Sequence, residues 1–372
     1  MLIGVPKEIK VQEFRVGLTP DSVGEFIGHG HQVMVEAGAG VGIGASDPDY
    51  KAAGAAIVGT AKEVFAEAEM IVKVKEPLTP ERAMLRQGQI LFTYLHLAPD
   101  PAQTKDLVES GAICVAYETV VDDRGGLPLL APMSQVAGRL SVQAGAASLE
   151  RVHGGAGILL GGVPGVPPAK VVVIGGGVVG ENAIEMAVGL GAEVVVLDRN
   201  VDTLGHLARR FGPALTTVYS TRAAITQHVL QADMVVGAVL VVGAAAPKLV
   251  TADHVRQMKT GSVLVDVAID QGGCFETSKA TTHEAPTYII DDVVHYCVAN
   301  MPGAVPRTST YALNNVTLPY GLSLADRGYK AALLADPNFL KGLNVHRGQV
   351  TYEAVAKNLG YSYVDPAEAL AV

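Results

Sequence analysis

Val171-Val-Val-Ile174, Gly175-Gly-Gly-Val-Val-Gly180, an apolar segment to Gly191, then Glu193-Val-Val-Val-Leu197 and Asp198: the reading of this stretch decides the fold. Four consecutive β-branched residues predict a buried strand. Gly175, Gly177 and Gly180 follow it directly at G-x-G-x-x-G spacing. The first two allow a sharp turn and a close backbone approach to a pyrophosphate; the third lets a helix pack on the strand. No proline interrupts 178–191, so a helix can start on the glycines and aim its N-terminal amides at phosphate. Asp198 ends the second strand, where a carboxylate would accept both hydroxyls of a ribose. In a chain with 42 glycines the motif alone is weak. The strand before it, the helix after it and the acid beyond make a dinucleotide site the expected reading. Asp198 would repel a 2′-phosphate and so favours NAD over NADP, although Arg199 beside it weakens that inference a little.

Working outward, 372 residues suffice for about two domains with full cores. The net charge is −9 and the only adjacent arginines are Arg209 and Arg210, which argues against a nucleic-acid partner. Cys114, Cys274 and Cys297 form no CxxC and are odd in number, as expected of a reducing cytoplasm and of a chain without a zinc site. The start, MLIGVPKEIK, is charged by Lys7 and lacks the apolar core of a signal peptide. The strongly apolar uncharged run Met234 to Pro247 has 14 residues and is too short to span a bilayer.

Residues 1–120 alternate strand and helix. Strands are expected at Leu2–Val5, 31–37, 70–74, 89–97 and 113–121. Helices are expected to open at Thr19-Pro20, with Thr19 as cap, and at Thr79-Pro80. A turn at 122–126 leads to a small-residue-rich helix over 134–152, and glycines and prolines make 154–168 a loop. After Asp198 the pattern predicts helices at 201–211 and 222–231, strands at 215–219, 234–240 and 262–268, and a helix capped by Thr251. A sixth strand is expected at 288–290, a helix over 308–326 despite Pro319, and a last helix near 351–359. The expected class is α/β: two doubly wound parallel-sheet domains, a Rossmann domain (131–305) inserted into a substrate domain (1–130 and 306–372), with a cleft between them.

The segment Gly4-Val-Pro-Lys-Glu8, followed by Glu13-Phe-Arg15-Val16-Gly-Leu-Thr19-Pro20, carries a family likeness. Together with 171–198 it resembles the paired signatures of the alanine dehydrogenases and the NAD-binding subunits of proton-translocating transhydrogenases, over nearly the whole chain. Three positions depart from the pattern: Gln12 replaces Asn, Gly17 replaces Ala and Val179 replaces Ala. None removes a charged or titrating group, and Val179, beside the phosphate turn, would at most modestly loosen the cofactor.

An amino-acid dehydrogenase must fix a small carboxylate, move protons and hold Cα against a nicotinamide. Arginine is a natural fork for carboxylate. Arg15 follows the first strand; position alone favours a solvated loop residue, and the resemblance reverses this. Lys75, after the strand 70–74, matches the family's substrate lysine in its V-K-E-P context, with Lys73 as an alternative. His96, expected near a strand end, reads from position alone as structural; the resemblance makes it the proton-transfer group. Asp270 follows the strand 262–268, where position and resemblance agree on a catalytic carboxylate. The resemblance places cofactor contacts at Ser134, Gly175, Gly177, Val178, Val179, Gly180, Asp198, Ser220, Val239, Leu240, Val267, Asp270, Asn300 and Met301, and no metal. Met133 and Met301 are candidate walls of a methyl-sized pocket.

The expected activity is reversible, NAD-dependent oxidative deamination of L-alanine to pyruvate and ammonia, in a cytoplasmic enzyme without membrane attachment. The resemblance implies a homohexamer. One rival is the transhydrogenase NAD subunit, whose members carry an Arg/Gln/Asp-bearing loop entering the nucleotide domain. Here 130–143 holds one arginine, Arg139, and no aspartate. A non-catalytic NAD-binding sensor and a saccharopine-type dehydrogenase are the others.

Overall fold

A computed structural model of the chain describes residues 1–239 and 246–371. It divides into two units, Met1–Met133 with Val305–Val372, and Ser134–Ala304. In chain order the strands are β1 (Leu2–Val5), β2 (Gln32–Glu36), β3 (Ala56–Val58), β4 (Met70–Val72), β5 (Ile90–Thr93) and β6 (Ile113–Ala116) in the first unit. The second holds β7 (Lys170–Ile174), β8 (Glu193–Asp198), β9 (Leu215–Tyr219), β10 (Met234–Gly237), β11 (Val263–Asp266), β12 (Thr287–Ile290) and β13 (Val293–Tyr296). The chain then returns to the first unit with β14 (Leu343–His346) and β15 (Gln349–Val350).

The two sheets share one topology. The first runs β15-β14-β6-β5-β4-β1-β2-β3 and the second β12-β13-β11-β10-β7-β8-β9. Within each, six parallel strands take the doubly wound order 3-2-1-4-5-6. Strand order reverses between β1 and β4 in one sheet and between β7 and β10 in the other. At such points the two chains leave the strand ends in opposite directions and a crevice opens at the carboxyl edge. The central strands are buried on both faces, so they read as unbroken apolar runs rather than alternating ones.

The sheets are mixed rather than purely parallel. β12 pairs antiparallel with β13, and β14 with both β6 and β15. Both extensions are hairpins with two-residue loops, and both loops have positive φ throughout: Asp291 and Asp292 at 49° and 61°, Arg347 and Gly348 at 48° and 91°. This backbone matches the twist of paired strands. The sixth parallel strand is β13, and the segment at 288–290 lies in its antiparallel edge neighbour.

Local chemistry sets many of the ends. Thr19 caps the helix Pro20–Gly28 by accepting from Ser22 N, with Pro20 in the first turn. Thr221 and Thr251 do the same for Arg222–Gln231 and Ala252–Gln257. At 79–82 the helix opens at Thr79 as expected, but its cap is not a threonine hydroxyl. Thr79 lies inside the short helix Thr79–Arg82, and the Glu81 carboxylate accepts from Leu78 N instead. The helix Pro306–Arg327 passes through Pro319 unbroken. Among the described residues no helix is long and apolar enough to cross a membrane.

Candidate functional site

In the first unit, four adjacent parallel strands, β6, β5, β4 and β1, deliver residues to one carboxyl edge. Arg15 stands in the loop after β1, Lys75 three residues past β4, His96 three residues past β5, and Glu118 two residues past β6. Arg15 and Lys75 therefore flank the reversal of strand order.

Arg15 is only 2% exposed. Its Nε donates to Glu13 Oε1 at 2.7 Å, its Nη2 to Glu13 Oε2 at 2.5 Å, and its Nη1 to Met133 Sδ at 3.1 Å. Burial works against its charge, but the bonds and charge of Glu13 outweigh burial and hold its pKa above the ordinary value. A thioether is a weaker acceptor than the carboxylate of Glu13. Lys75 is half-buried and its pKa lies below the ordinary value. Burial is the main cause; the charges of Arg15 and Lys10 add to it, and Glu76 opposes it. Its Nζ forms no ion pair among the described residues. Two neighbouring cations on one sheet edge, one of them with no ion pair among the described residues, suit an anion.

Lys73, the alternative candidate, is fully buried. Its Nζ donates to Glu8 Oε2 at 2.9 Å and Glu81 Oε1 at 2.6 Å. Burial opposes its charge, but the two carboxylates hold its pKa above the ordinary value. The ammonium is committed to the interior. Glu8 also accepts from Val74 N at 2.7 Å and Lys75 N at 3.2 Å through Oε1. The triad thus fixes the backbone that presents Lys75.

His96 is exposed and is not in a strand: β5 ends at Thr93, and His96 has φ of 51°. Its ring lies parallel to that of Tyr94, 4° between planes and 5.8 Å between centroids. Tyr94 is buried and its hydroxyl donates to Leu129 O at 2.6 Å. Burial pushes the Tyr94 hydroxyl far above its ordinary pKa, against the pull of Arg15. It is therefore a neutral platform.

The second unit builds a different surface. Gly175 has φ of 99°, and a Cβ there would stand 2.6 Å from Ala238 O. A Cβ at Gly180 would land on the carbonyl oxygen of Gly175. These two glycines are needed by the turn itself. Gly177 is not: a Cβ on it would meet nothing within 4 Å. It is exposed, and it opens the helix Val178–Gly189 with no side-chain cap. A helix N-terminus with open space at its first residue suits an anion brought against the backbone. Asp198 Oδ2 accepts from Gly176 N at 2.6 Å and Oδ1 from Asn200 N at 2.7 Å. Asp198 thereby ties the glycine turn to the end of β8, and each oxygen retains a further lone pair.

Val178 is exposed, and Val179 half-buried, at the start of this helix. Ser220 is buried at the end of β9, and Val239 lies half-buried beside Gly175, after β10. All of these gather round the carboxyl edge of the second sheet. Ser134 lies in the first turns of the helix Ala131–Ser148. Val267 and the exposed Asp270 stand on the 3-10 turn Val267–Gln271, which replaces the expected strand end. Asn300 O accepts from His283 Nε2 at 2.8 Å, and Met301 is buried. Leu240 lies outside the described residues. Among the described residues no group of three or more His, Cys, Asp or Glu could hold a metal ion.

Sequence reasoning missed the carboxylates that hold these loops. Glu13, Glu8 and Glu118 fix Arg15, Lys75 and His96. In the second unit Asp266, fully buried, accepts from Ala268 N, Cys274 N, Phe275 N and Ser278 Oγ and so staples the loop carrying Asp270. Single carboxylates leave no spacing pattern. Only Glu8 and Glu13 carried a signal, through their place in the N-terminal signature.

Two family models match: "Alanine dehydrogenase/PNT, N-terminal domain" over residues 4–137 and "Alanine dehydrogenase/PNT, C-terminal domain" over 141–353. The chain is 60% identical to an alanine dehydrogenase of Halomonas elongata, covering 99% of each chain. A solved L-alanine dehydrogenase superposes with a TM-score of 0.94 at 54% identity, covering 97% of this chain and 99% of that one. A transhydrogenase structure from Sinorhizobium meliloti gives 0.81 at 25% identity, covering 95% and 100%. Glycine turn, anion site and full-length likeness agree: the chain belongs to the alanine dehydrogenase/PNT family.

Proposed function

We propose that this chain is an NAD-dependent L-alanine dehydrogenase, interconverting L-alanine with pyruvate and ammonia. The observation that carries the reading is the pair Arg15 and Lys75 at the reversal of strand order, buried or half-buried cations on one edge with His96. Arg15 receives the substrate carboxylate, its guanidinium held in plane by Glu13. Lys75, with no ion-pair partner among the described residues, neutralises that carboxylate or polarises the keto oxygen of pyruvate. His96 accepts a proton from the amine or from the water that adds to the imine, and returns it in the reverse direction. Asp270 orients the amino group or the water.

The nicotinamide cofactor, when bound, supplies the hydride acceptor. Gly177 and the amides of 178–180 receive its pyrophosphate, and Asp198 its ribose. The transhydrogenase reading has less support. The structural likeness is weaker, and Arg139, the one arginine of 130–143, is tied within its own unit to Asn182 and Glu185.

Purified protein assayed with NAD or NADP against the twenty amino acids tests the reading. Turnover confined to alanine and comparably small amino acids, with kcat/KM for NAD well above that for NADP, is expected. Efficient turnover of glutamate or leucine removes the alanine assignment. Equal use of both cofactors removes the role given to Asp198.

A further inference from the structure

Resting on that reading, we infer that Glu118 is the positioning residue for His96, setting its imidazole by clamping the backbone on which it stands. Glu118 lies on the short turn Tyr117–Thr119 that follows β6, the strand neighbouring β5. Its Oε1 accepts from His96 N at 2.6 Å and Leu95 N at 3.1 Å, and its Oε2 approaches Leu95 N at 3.2 Å. One carboxylate therefore receives two successive amides, the second belonging to the proton-transfer residue. Such charge-assisted bonds are about twice as strong as neutral ones.

The clamp has something to hold. His96 has φ of 51°, a left-handed conformation that is disfavoured for a non-glycine residue. In that conformation the ring lies along Tyr94 and turns Nδ1 towards Glu118 Oε1, 3.8 Å away. An extended backbone at residue 96 would point the side chain elsewhere. Tyr94 fixes the plane of the ring, and Glu118 fixes where the ring starts. The same device recurs one strand over, where Glu8 takes Val74 N and Lys75 N. Glu118 is the testable copy. Its side chain is 13% exposed and, among the described residues, makes no counterpart of the buried ion pair between Glu8 and Lys73.

The experiment compares Glu118→Ala and Glu118→Gln in the full chain, by steady-state amination of pyruvate and by NADH fluorescence titration. The glutamine keeps an oxygen for the two amides; the alanine does not. Misplacing a reacting group by about 1 Å costs on the order of 10²-fold. Glu118→Ala should therefore lose kcat by one to two orders of magnitude, roughly, with NADH affinity and pyruvate KM within about twofold of the unaltered protein. Glu118→Gln should recover most of that kcat. Unchanged kcat in both folded variants overturns the proposal, as does a loss in Glu118→Ala that falls equally on NADH affinity and pyruvate KM. A glutamine variant as impaired as the alanine one also overturns it, because charge and not the clamp would then be at work. Should the alanine variant not fold, kcat of Glu118→Gln still decides: near-normal turnover supports the clamp and a tenfold loss overturns it. An unaltered protein that does not aminate pyruvate rejects the proposed function, an outcome separate from all of these.

Discussion

The edge of the first sheet and the edge of the second solve one problem in two ways. Both lie where strand order reverses from 1 to 4. In the second unit the loop after β7 is shaped by what its residues lack. Gly175 tolerates φ of 99°, Gly180 lets a helix close on a carbonyl, and Gly177 leaves open space. In the first unit the loops after β1, β4 and β5 are shaped by what neighbouring residues supply. Glu13, Glu8 and Glu118 each bond backbone amides at or beside a side chain proposed to meet the substrate. A phosphate is recognised by backbone, so glycine suffices. A small zwitterion must be recognised by side chains, which need rigid supports. The difference teaches that a site made of side chains carries a second set of residues that a site made of backbone does not.

The largest effect should come from removing the proposed proton-transfer group from the supported edge. His96→Ala is expected to lower kcat for alanine oxidation by about 10²–10⁴-fold while leaving NADH affinity intact. Near-normal kcat with an unchanged pH profile would dismiss the proton-transfer role and, with it, any need for the clamp.

Next comes removal of a support. Lys73→Met leaves Glu8 and Glu81 buried with no cation between them. Breaking such a pair on one side costs about 3–5 kcal/mol. Urea unfolding should show a loss of that order, with pyruvate affinity falling more than NADH affinity because Glu8 also positions Lys75. A stability change below about 1 kcal/mol would mean the triad is no support.

A smaller effect is expected on the glycine edge. Gly177→Ala meets nothing in the protein, so stability should hold while NADH affinity drops about tenfold, or ~1.4 kcal/mol. Gly175→Ala should lose both, because its backbone angle and Ala238 O oppose a side chain. Unaltered NADH affinity in Gly177→Ala would place the pyrophosphate elsewhere.

The smallest effect is a pH dependence. Burial and Arg15 lower the pKa of Lys75, so its ammonium is lost on raising pH before an ordinary lysine would titrate. Pyruvate KM should rise through the alkaline range and do so below pH ~10.4. Lys75→Arg should flatten that rise, because arginine stays charged there. The sign for stability is opposite. The charged form is penalised in the folded state, so Lys75 costs stability at neutral pH and the cost fades as pH climbs through its folded pKa. A KM that is flat to pH 10 would remove Lys75 from carboxylate binding.

What the chain determined by itself is what short-range chemistry controls. Val171–Ile174, the three glycines and Asp198 predicted a strand, a turn, a helix and an acid, and β7, β8 and Val178–Gly189 follow them closely. The helices at 201–211 and 222–231 and the strand at 215–219 are bounded by caps and turns that can be read locally. Arg15, Lys75 and His96 were named through family likeness, because one arginine, lysine or histidine at a strand end has no pattern of its own. Tertiary structure decided the rest. Lys73 and Lys75 are two residues apart in sequence, yet one is locked between carboxylates and the other has none to itself. The distinction depends on Glu8 and Glu81, brought in from a different loop and a different helix. His96 was expected at a strand end and stands in a left-handed turn, because Glu118, 22 residues on, takes its amide. Local sequence sets which backbone angles are cheap; which buried charge meets which amide depends on strands that become neighbours only in the folded sheet.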